Sequence, residues 1–189
     1  MVVQTKLAVF VSGNGSNARN LIRHFHDHSF VNIALLVSSR PNSHLKSFAS
    51  VWGITYLEVT PWSEEEVLTL LEKSAIHGIV LAGFLRKISA ALITRFPHRI
   101  INLHPSLLPK HGGKGMYGRF VHEAVFLAKE KETGITIHFV TEAYDEGRIL
   151  VQVSCPISLQ DSVDRIEEKV RRLEQRFFPE AVMRFCEGL

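Results

Sequence analysis

The chain has little cysteine, no block of like charge and no long apolar run. Two cysteines in 189 residues, Cys155 and Cys186, suggest neither a disulfide framework nor a metal quartet. Lysine and arginine outnumber aspartate and glutamate by 22 to 19 and are scattered, which favours a small anionic substrate over nucleic acid. No segment approaches the ~18 apolar residues of a membrane span, and the N-terminal sequence does not have the pattern of an export signal. We therefore expect a cytoplasmic protein with no membrane or nucleic-acid partner and no metal site.

Short apolar segments alternate with longer amphipathic ones along the whole chain, which indicates alternating strands and helices. Several strand segments are apolar without alternation, as in strands covered by helices on both faces. We predict an α/β fold, a single domain over residues 1–189 with a doubly wound, mostly parallel sheet and helices on both faces. The predicted strands are Leu7–Val11, Val31–Val37, Ile54–Leu57, Ile79–Ala82, Ile100–Leu103, Ile135–Val140 and Ile149–Val153.

Two predicted helices have clear boundaries. Ser63 and Glu66 form a capping-box pattern at the start of a helix over Glu64–Lys73. The last helix begins at about Ser162, and Pro179 is expected to break or kink it.

A glycine-rich loop, Ser12–Ala18, follows the first predicted strand and opens a helix. Glycines allow a close backbone approach, and a helix N-terminus attracts anions, so the loop is suited to a phosphate group. The loop also satisfies G-x-G-x-x-A, and Arg40 after the second strand could meet the 2′-phosphate of NADP. A plain glycine turn capped by Ser16 or Asn17 is the simplest alternative.

A second strand end carries Asn102 and His104, whose side chains share one face because strand residues alternate. Pro105 holds His104 in an extended conformation, and Pro109 stiffens the loop that follows. An amide donor beside a group that titrates near pH 7 indicates a catalytic function.

Four motifs together resemble the phosphoribosylglycinamide formyltransferases of the folate-dependent formyltransferase family. They are SGNGSN at Ser12–Asn17, AGFLRKIS at Ala82–Ser89, INLHPSLLP at Ile101–Pro109 and GITIHFVTEAYDEGRILVQ at Gly134–Gln152. The resemblance implies formyl transfer from 10-formyltetrahydrofolate to the amine of glycinamide ribonucleotide, a step of de novo purine biosynthesis. Both partners are small molecules, no metal is implied, and the chain is expected to be a monomer or a homodimer.

The resemblance also implies a role for individual residues. The nucleotide half, about residues 1–100, contributes Gly15, Ser16 and Asn17, which hold the phosphate. The folate and catalytic half, about residues 101–189, contributes Glu174 at the ribose and Arg171 near the phosphate. The implied folate slot is formed by Leu85, Arg86, Ile88, Asn102 and the loop 140–145 that begins at Val140.

For the chemistry we assign three residues. Asn102 and a protonated His104 are expected to stabilise the oxyanion of a tetrahedral intermediate. Asp145 is expected to lie near His104, to raise its pKa and to accept the proton of the attacking amine. His111, His122 and His138 receive no role at this stage.

The loop Lys110–Gly118 is richer in glycine than the family pattern, and Lys87 stands where an apolar residue is commoner. Both differences border the implied folate side. Three alternatives stay open: an NADP-dependent reductase, a formyltetrahydrofolate hydrolase and a non-catalytic phosphate-binding module. The related tRNA formyltransferases and formyltetrahydrofolate hydrolases carry an extra domain, for which we expect no room in this chain.

Overall fold

A computed structural model describes residues 4–189 and contains alternating strands and helices. All seven predicted strands are present, with ends that differ by a few residues from the prediction. The elements are β1 (Thr5–Val11), α1 (Ser16–Phe25), β2 (Val31–Ser38), α2 (Ser43–Val51), β3 (Thr55–Glu58), α3 (Glu64–Lys73), β4 (Gly78–Leu81), α4 (Ala90–Arg95), β5 (Ile100–His104), α5 (Arg119–Leu127), β6 (Glu132–Phe139), β7 (Ile149–Pro156) and α6 (Val163–Glu187).

The strands form one sheet in the order β3-β2-β1-β4-β5-β6-β7. The first five strands in this order pair in parallel, whereas β6 and β7 pair antiparallel to their neighbours. This confirms the predicted mostly parallel sheet. The strand order reverses between β1 and β4, and open α/β sheets bind ligands beyond the carboxyl ends of the strands at such a point.

The sheet is buried on both faces, which explains why its central strands do not alternate. In β1, Val9 packs into one apolar cluster with α1, α2 and α6, while Phe10 packs into a second cluster with α3 and α4. Both side chains are fully buried. Helices on both faces are therefore confirmed.

The predicted cap at Ser63 is present, and Ser162 caps α6 in the same way. Ser63 Oγ accepts a hydrogen bond from the Glu66 amide at 3.3 Å, and Ser162 Oγ accepts one from the Arg165 amide at the same distance. Such caps satisfy amide groups that have no partner inside the helix.

Of the two expected effects of Pro179, a break is wrong, because α6 continues through it to Glu187, and a kink stays a prediction. A proline inside a helix leaves the carbonyl four residues earlier without its usual donor. Here that carbonyl belongs to Gln175, and it accepts a hydrogen bond from Asn20 Nδ2 of α1 at 2.8 Å. The neighbouring helix thus supplies the donor that proline lacks.

Both cysteines are free thiols. Cys155 is half-buried and Cys186 is buried, and burial raises the pKa of the Cys186 thiol to about 12. None of the helices between residues 4 and 189 combines the length and apolar character needed to cross a membrane.

Candidate active site

The glycine loop makes its turn at Gly15, directly before α1. Gly15 has φ 70°, and a Cβ at this residue would lie 2.8 Å from Leu45 Cδ2. Glycine adopts this left-handed backbone without strain, and any larger residue would also have to displace the buried Leu45 side chain. Ser12 ties the loop to the next strand end, because its amide donates to the Gly83 carbonyl at 3.0 Å and its Oγ accepts from the Leu85 amide at 2.9 Å.

The loop opens into a cleft of about 560 Å³, whose lining includes Ser16 and Asn17 but not Gly15 among the described residues. Asn17 Nδ2 donates to Glu174 Oε2 of α6 at 2.9 Å. Burial raises the pKa of Glu174, although the bond from Asn17 opposes this effect. Arg171 and Glu174 both line the cleft, as expected for residues three apart on one helix face.

The end of β5 forms another part of the cleft, which Asn102 and His104 both line. His104 is 3% exposed. Its Nε2 donates to the carbonyl of His111 at 2.9 Å, and its Nδ1 lies 3.6 Å from Asp145 Oδ2. The predicted pairing of His104 with Asp145 is therefore present in the structure.

Asp145 lies between two histidines, in the loop that joins β6 to β7. Its Oδ1 is 3.4 Å from His138 Nε2, and its Oδ2 accepts a hydrogen bond from the Gly113 amide at 2.8 Å. Burial on its own would raise the pKa of Asp145, but the contact with His138, the charge of His104 and the Gly113 amide lower it below its ordinary value. Asp145 is thus held as a carboxylate.

Asp145 raises the pKa of His104 as expected, but the expectation of a protonated His104 is wrong because the net shift of its pKa is downward. Burial lowers the pKa of His104, and the charge of Asp145 raises it by less than burial lowers it. The neutral imidazole is therefore favoured in this structure. Because Nε2 is committed to a carbonyl, the proton that His104 gains must go to Nδ1, the atom that faces Asp145.

His138 is a site residue that the sequence analysis missed. Its Nδ1 donates to the Phe139 carbonyl at 3.0 Å, and its Nε2 lies 3.1 Å from Asn102 Nδ2 and 3.4 Å from Asp145 Oδ1. Without a proton Nε2 accepts a hydrogen bond from Asn102, and with a proton it donates to Asp145. The contact with Asn102 turns the amide nitrogen of this residue toward His138 and leaves its second N–H for the cleft. The signal for His138 is its register opposite Asn102 in the antiparallel pair of β5 and β6, which sequence alone did not provide.

The implied folate residues form one region of the same cleft, which is lined by Leu85, Arg86, Ile88 and Val140. Leu85 is 44% exposed although it is apolar. Exposed apolar side chains in a concave site favour an apolar ligand group. The Arg86 guanidinium lies 5.7 Å from the centre of the Trp62 ring.

The two departures from the family pattern also lie at this region. Lys87 Nζ is 5.7 Å from the centre of the Tyr144 ring, and the segment Gly113–Gly118 lines the cleft. Gly113, Gly115 and Gly118 all have positive φ, so the loop depends on glycine for its path.

The cleft therefore gathers the predicted catalytic, phosphate and folate residues, apart from Gly15. Arg40, on which the NADP alternative depends, does not belong to its described lining. Within residues 4–189, no three histidine, cysteine, aspartate or glutamate side chains are grouped so that they could hold a metal ion.

Comparison with known proteins agrees with this geometry. The family model described as formyl transferase matches residues 5–182. The chloroplastic phosphoribosylglycinamide formyltransferase of Arabidopsis thaliana is 38% identical over 192 residues, covering 96% of this chain and 65% of the plant protein. The phosphoribosylglycinamide formyltransferase of Bacillus subtilis is 32% identical over 185 residues, covering 94% of this chain and 92% of that protein.

A solved structure supports the same assignment. The crystal structure of phosphoribosylglycinamide formyltransferase from Anaplasma phagocytophilum superposes with a TM-score of 0.89 at 27% identity, covering 98% of this chain and 89% of that one. The chain spans less than two thirds of the length of the plant relative, and most of the length of the two bacterial ones. The chain belongs to the formyl transferase family, in the branch that contains the phosphoribosylglycinamide formyltransferases.

Proposed function

We propose that this chain transfers the formyl group of 10-formyltetrahydrofolate to the amine of glycinamide ribonucleotide, in de novo purine biosynthesis. The products are formylglycinamide ribonucleotide and tetrahydrofolate. One observation carries the proposal: Asn102, His104 and Asp145 converge in the same cleft as Ser16 and Asn17 at the glycine loop.

Hydrogen-bond donors and a positive charge in the cleft support the proposed binding of the nucleotide. The first amides of α1 and the side chains of Ser16 and Asn17 offer hydrogen-bond donors to the phosphate, and Arg171 offers a positive charge. Gly15 contributes the turn that brings Ser16 and Asn17 to the cleft. Glu174 can accept hydrogen bonds from ribose hydroxyl groups, because a carboxylate is an acceptor.

The apolar part of the cleft lining supports the proposed binding of the folate cosubstrate. Leu85, Ile88 and Val140 offer an apolar surface to the flat ring system, and we place the reacting formyl group at Asn102 of the same lining. Arg86 offers a positive charge to the carboxylates of the folate tail. The residues present therefore fit this cosubstrate.

The reaction requires stabilisation of negative charge on oxygen. When the amine nitrogen attacks the formyl carbon, the formyl oxygen becomes an alkoxide, and the second N–H of Asn102 is a preorganised donor for it. A donor of this kind contributes ~2.7–4 kcal/mol to transition-state stabilisation. Holding two substrates together can contribute ~7–11 kcal/mol more.

The proton that the attacking nitrogen loses must reach the departing nitrogen of tetrahydrofolate. Asp145 is an ionised acceptor, and His104 Nδ1 lies 3.6 Å from it. Together they can carry this proton, directly or through water. When Nδ1 of His104 holds it, the positive charge of the imidazolium also stabilises the alkoxide.

An absorbance assay of tetrahydrofolate formation tests the proposed function. We expect formation only when both 10-formyltetrahydrofolate and glycinamide ribonucleotide are present. Formation without the nucleotide would instead indicate a hydrolase, and nucleotide binding without turnover would indicate a phosphate-binding module.

Three further expectations stay predictions. They are the division into a nucleotide half and a folate half, the monomer or homodimer state and the cytoplasmic location.

A further inference from the structure

His122 is a buried histidine of α5 that lines the cleft but has no part in the chemistry described above. It is 4% exposed, and its Nδ1 is sealed from solvent with no hydrogen-bond partner between residues 4 and 189. Nε2 is not among these sealed atoms, so it is the ring nitrogen that the cleft can reach. Because buried polar atoms in proteins are nearly always hydrogen-bonded, the unpaired imidazole of His122 indicates a ligand contact.

The surroundings of His122 favour its neutral form. Burial lowers its pKa, Glu167 raises it, and Arg119 and His104 lower it. A sealed N–H without an acceptor is rarer in proteins than a sealed acceptor without a donor. The proton of the neutral ring therefore belongs on Nε2, which makes His122 an uncharged donor to the cleft.

The position of His122 along the cleft follows from α6. Glu167 and Glu174 line the cleft from the same face of this helix, seven residues and thus roughly 10 Å apart. Glu174 is bonded to Asn17 at the phosphate loop, whereas Glu167 is a charged neighbour of His122. His104, at the reacting end, is also close enough for its charge to lower the pKa of His122. His122 thus lines the cleft with Glu167 of α6 and His104 of β5 among its charged neighbours.

The covalent order of glycinamide ribonucleotide is phosphate, ribose, carboxamide and amine. With the phosphate at the glycine loop and the amine at His104, the carboxamide lies in the cleft between them, and His122, whose pKa the charge of His104 lowers, lines the same cleft. We infer that His122 Nε2 donates a hydrogen bond to the carboxamide oxygen of glycinamide ribonucleotide, and that this bond selects for the glycinamide arm. The inference rests on the proposed function.

Calorimetric binding of two ligands tests this inference. Ribose 5-phosphate has the phosphate and ribose of the substrate but no carboxamide. We expect His122→Phe and His122→Asn, which both lack a donor at the Nε2 position, to weaken glycinamide ribonucleotide binding roughly tenfold. Ribose 5-phosphate binding should stay within about twofold of wild type. His122→Gln, which can reach the Nε2 position with an amide N–H, should recover most of the nucleotide affinity.

His44→Phe, an exposed histidine of α2 outside the cleft lining, is the matched control and should change neither affinity. Equal weakening of both ligands by His122→Asn would show a structural role or a ribose contact, and unchanged nucleotide binding would show no contact at all. Either result overturns the inference. If wild type itself neither binds nor formylates the nucleotide, the proposed function fails instead. If His122→Phe does not fold, the Asn and Gln pair decides.

Discussion

Asp145 is the residue on which the reacting end of the cleft depends. Its Oδ2 contacts His104 at the end of β5 and accepts a hydrogen bond from the Gly113 amide of the glycine-rich loop, and its Oδ1 contacts His138 of β6. One carboxylate therefore links these three segments. Its charge also opposes the effect of burial on His104. Removal of this charge should therefore change a measurable property of a neighbouring residue.

We predict that Asp145→Asn lowers the pKa of His104 further, because burial then acts without the opposing carboxylate. The same variant should lower kcat about 100-fold, since a positioned proton acceptor is lost. An NMR titration of His104 measures the first effect. Asp27→Asn is the control, because Asp27 is 95% exposed and should leave the His104 titration unchanged. An unmoved His104 pKa in Asp145→Asn would contradict the coupling.

At this scale the sequence predicted Asn102, His104 and Asp145, because a motif carried each of them. It did not predict His138, since the contact with Asn102 depends on the register between β5 and β6. It also predicted a protonated His104, whereas the net shift of the His104 pKa is downward. The neighbouring charge could be inferred from the resemblance, but the degree of burial could not.

At the scale of elements, a side chain of α1 donates the hydrogen bond that Pro179 of α6 cannot donate. Asn20 of α1 and Gln175 of α6 are 155 residues apart in sequence, so no local pattern links the asparagine to the proline that frees the carbonyl. Local propensity correctly identified Pro179 as unfavourable, but packing between the helices offsets part of that effect. The capping serines, by contrast, were predictable because a cap acts within a few residues.

A double-mutant cycle tests the shared bond. In Pro179→Ala, residue 179 regains an amide that can donate to the Gln175 carbonyl, so the contact from Asn20 should matter less. We predict that Asn20→Ala lowers the free energy of unfolding by about 1 kcal/mol more in wild type than in Pro179→Ala. Urea denaturation measures the free energy of unfolding of all four proteins. Because Asn20→Ala is made in both backgrounds, the difference in helix propensity between asparagine and alanine cancels. An equal effect in both backgrounds would contradict the account.

At the scale of the whole molecule, the cleft is built from segments that are distant in sequence. The glycine loop after β1, the end of β5, the β6–β7 loop and one face of α6 meet at the edge where the strand order reverses. The alternation of apolar segments was enough to predict the sheet. The antiparallel direction of β6 and β7 was not predicted, because apolar strands of either direction have the same composition.

The central claim is that the two ends of this cleft act on one nucleotide, the glycine loop binding it and the end of β5 transforming it. The most direct measurement is kcat together with the nucleotide Kd for Asn17→Ala and Asn102→Ala. We predict that Asn17→Ala weakens binding about tenfold with kcat within a few-fold of wild type. Asn102→Ala should lower kcat about 100-fold with Kd almost unchanged. Turnover by Asn102→Ala within a few-fold of wild type would contradict the account.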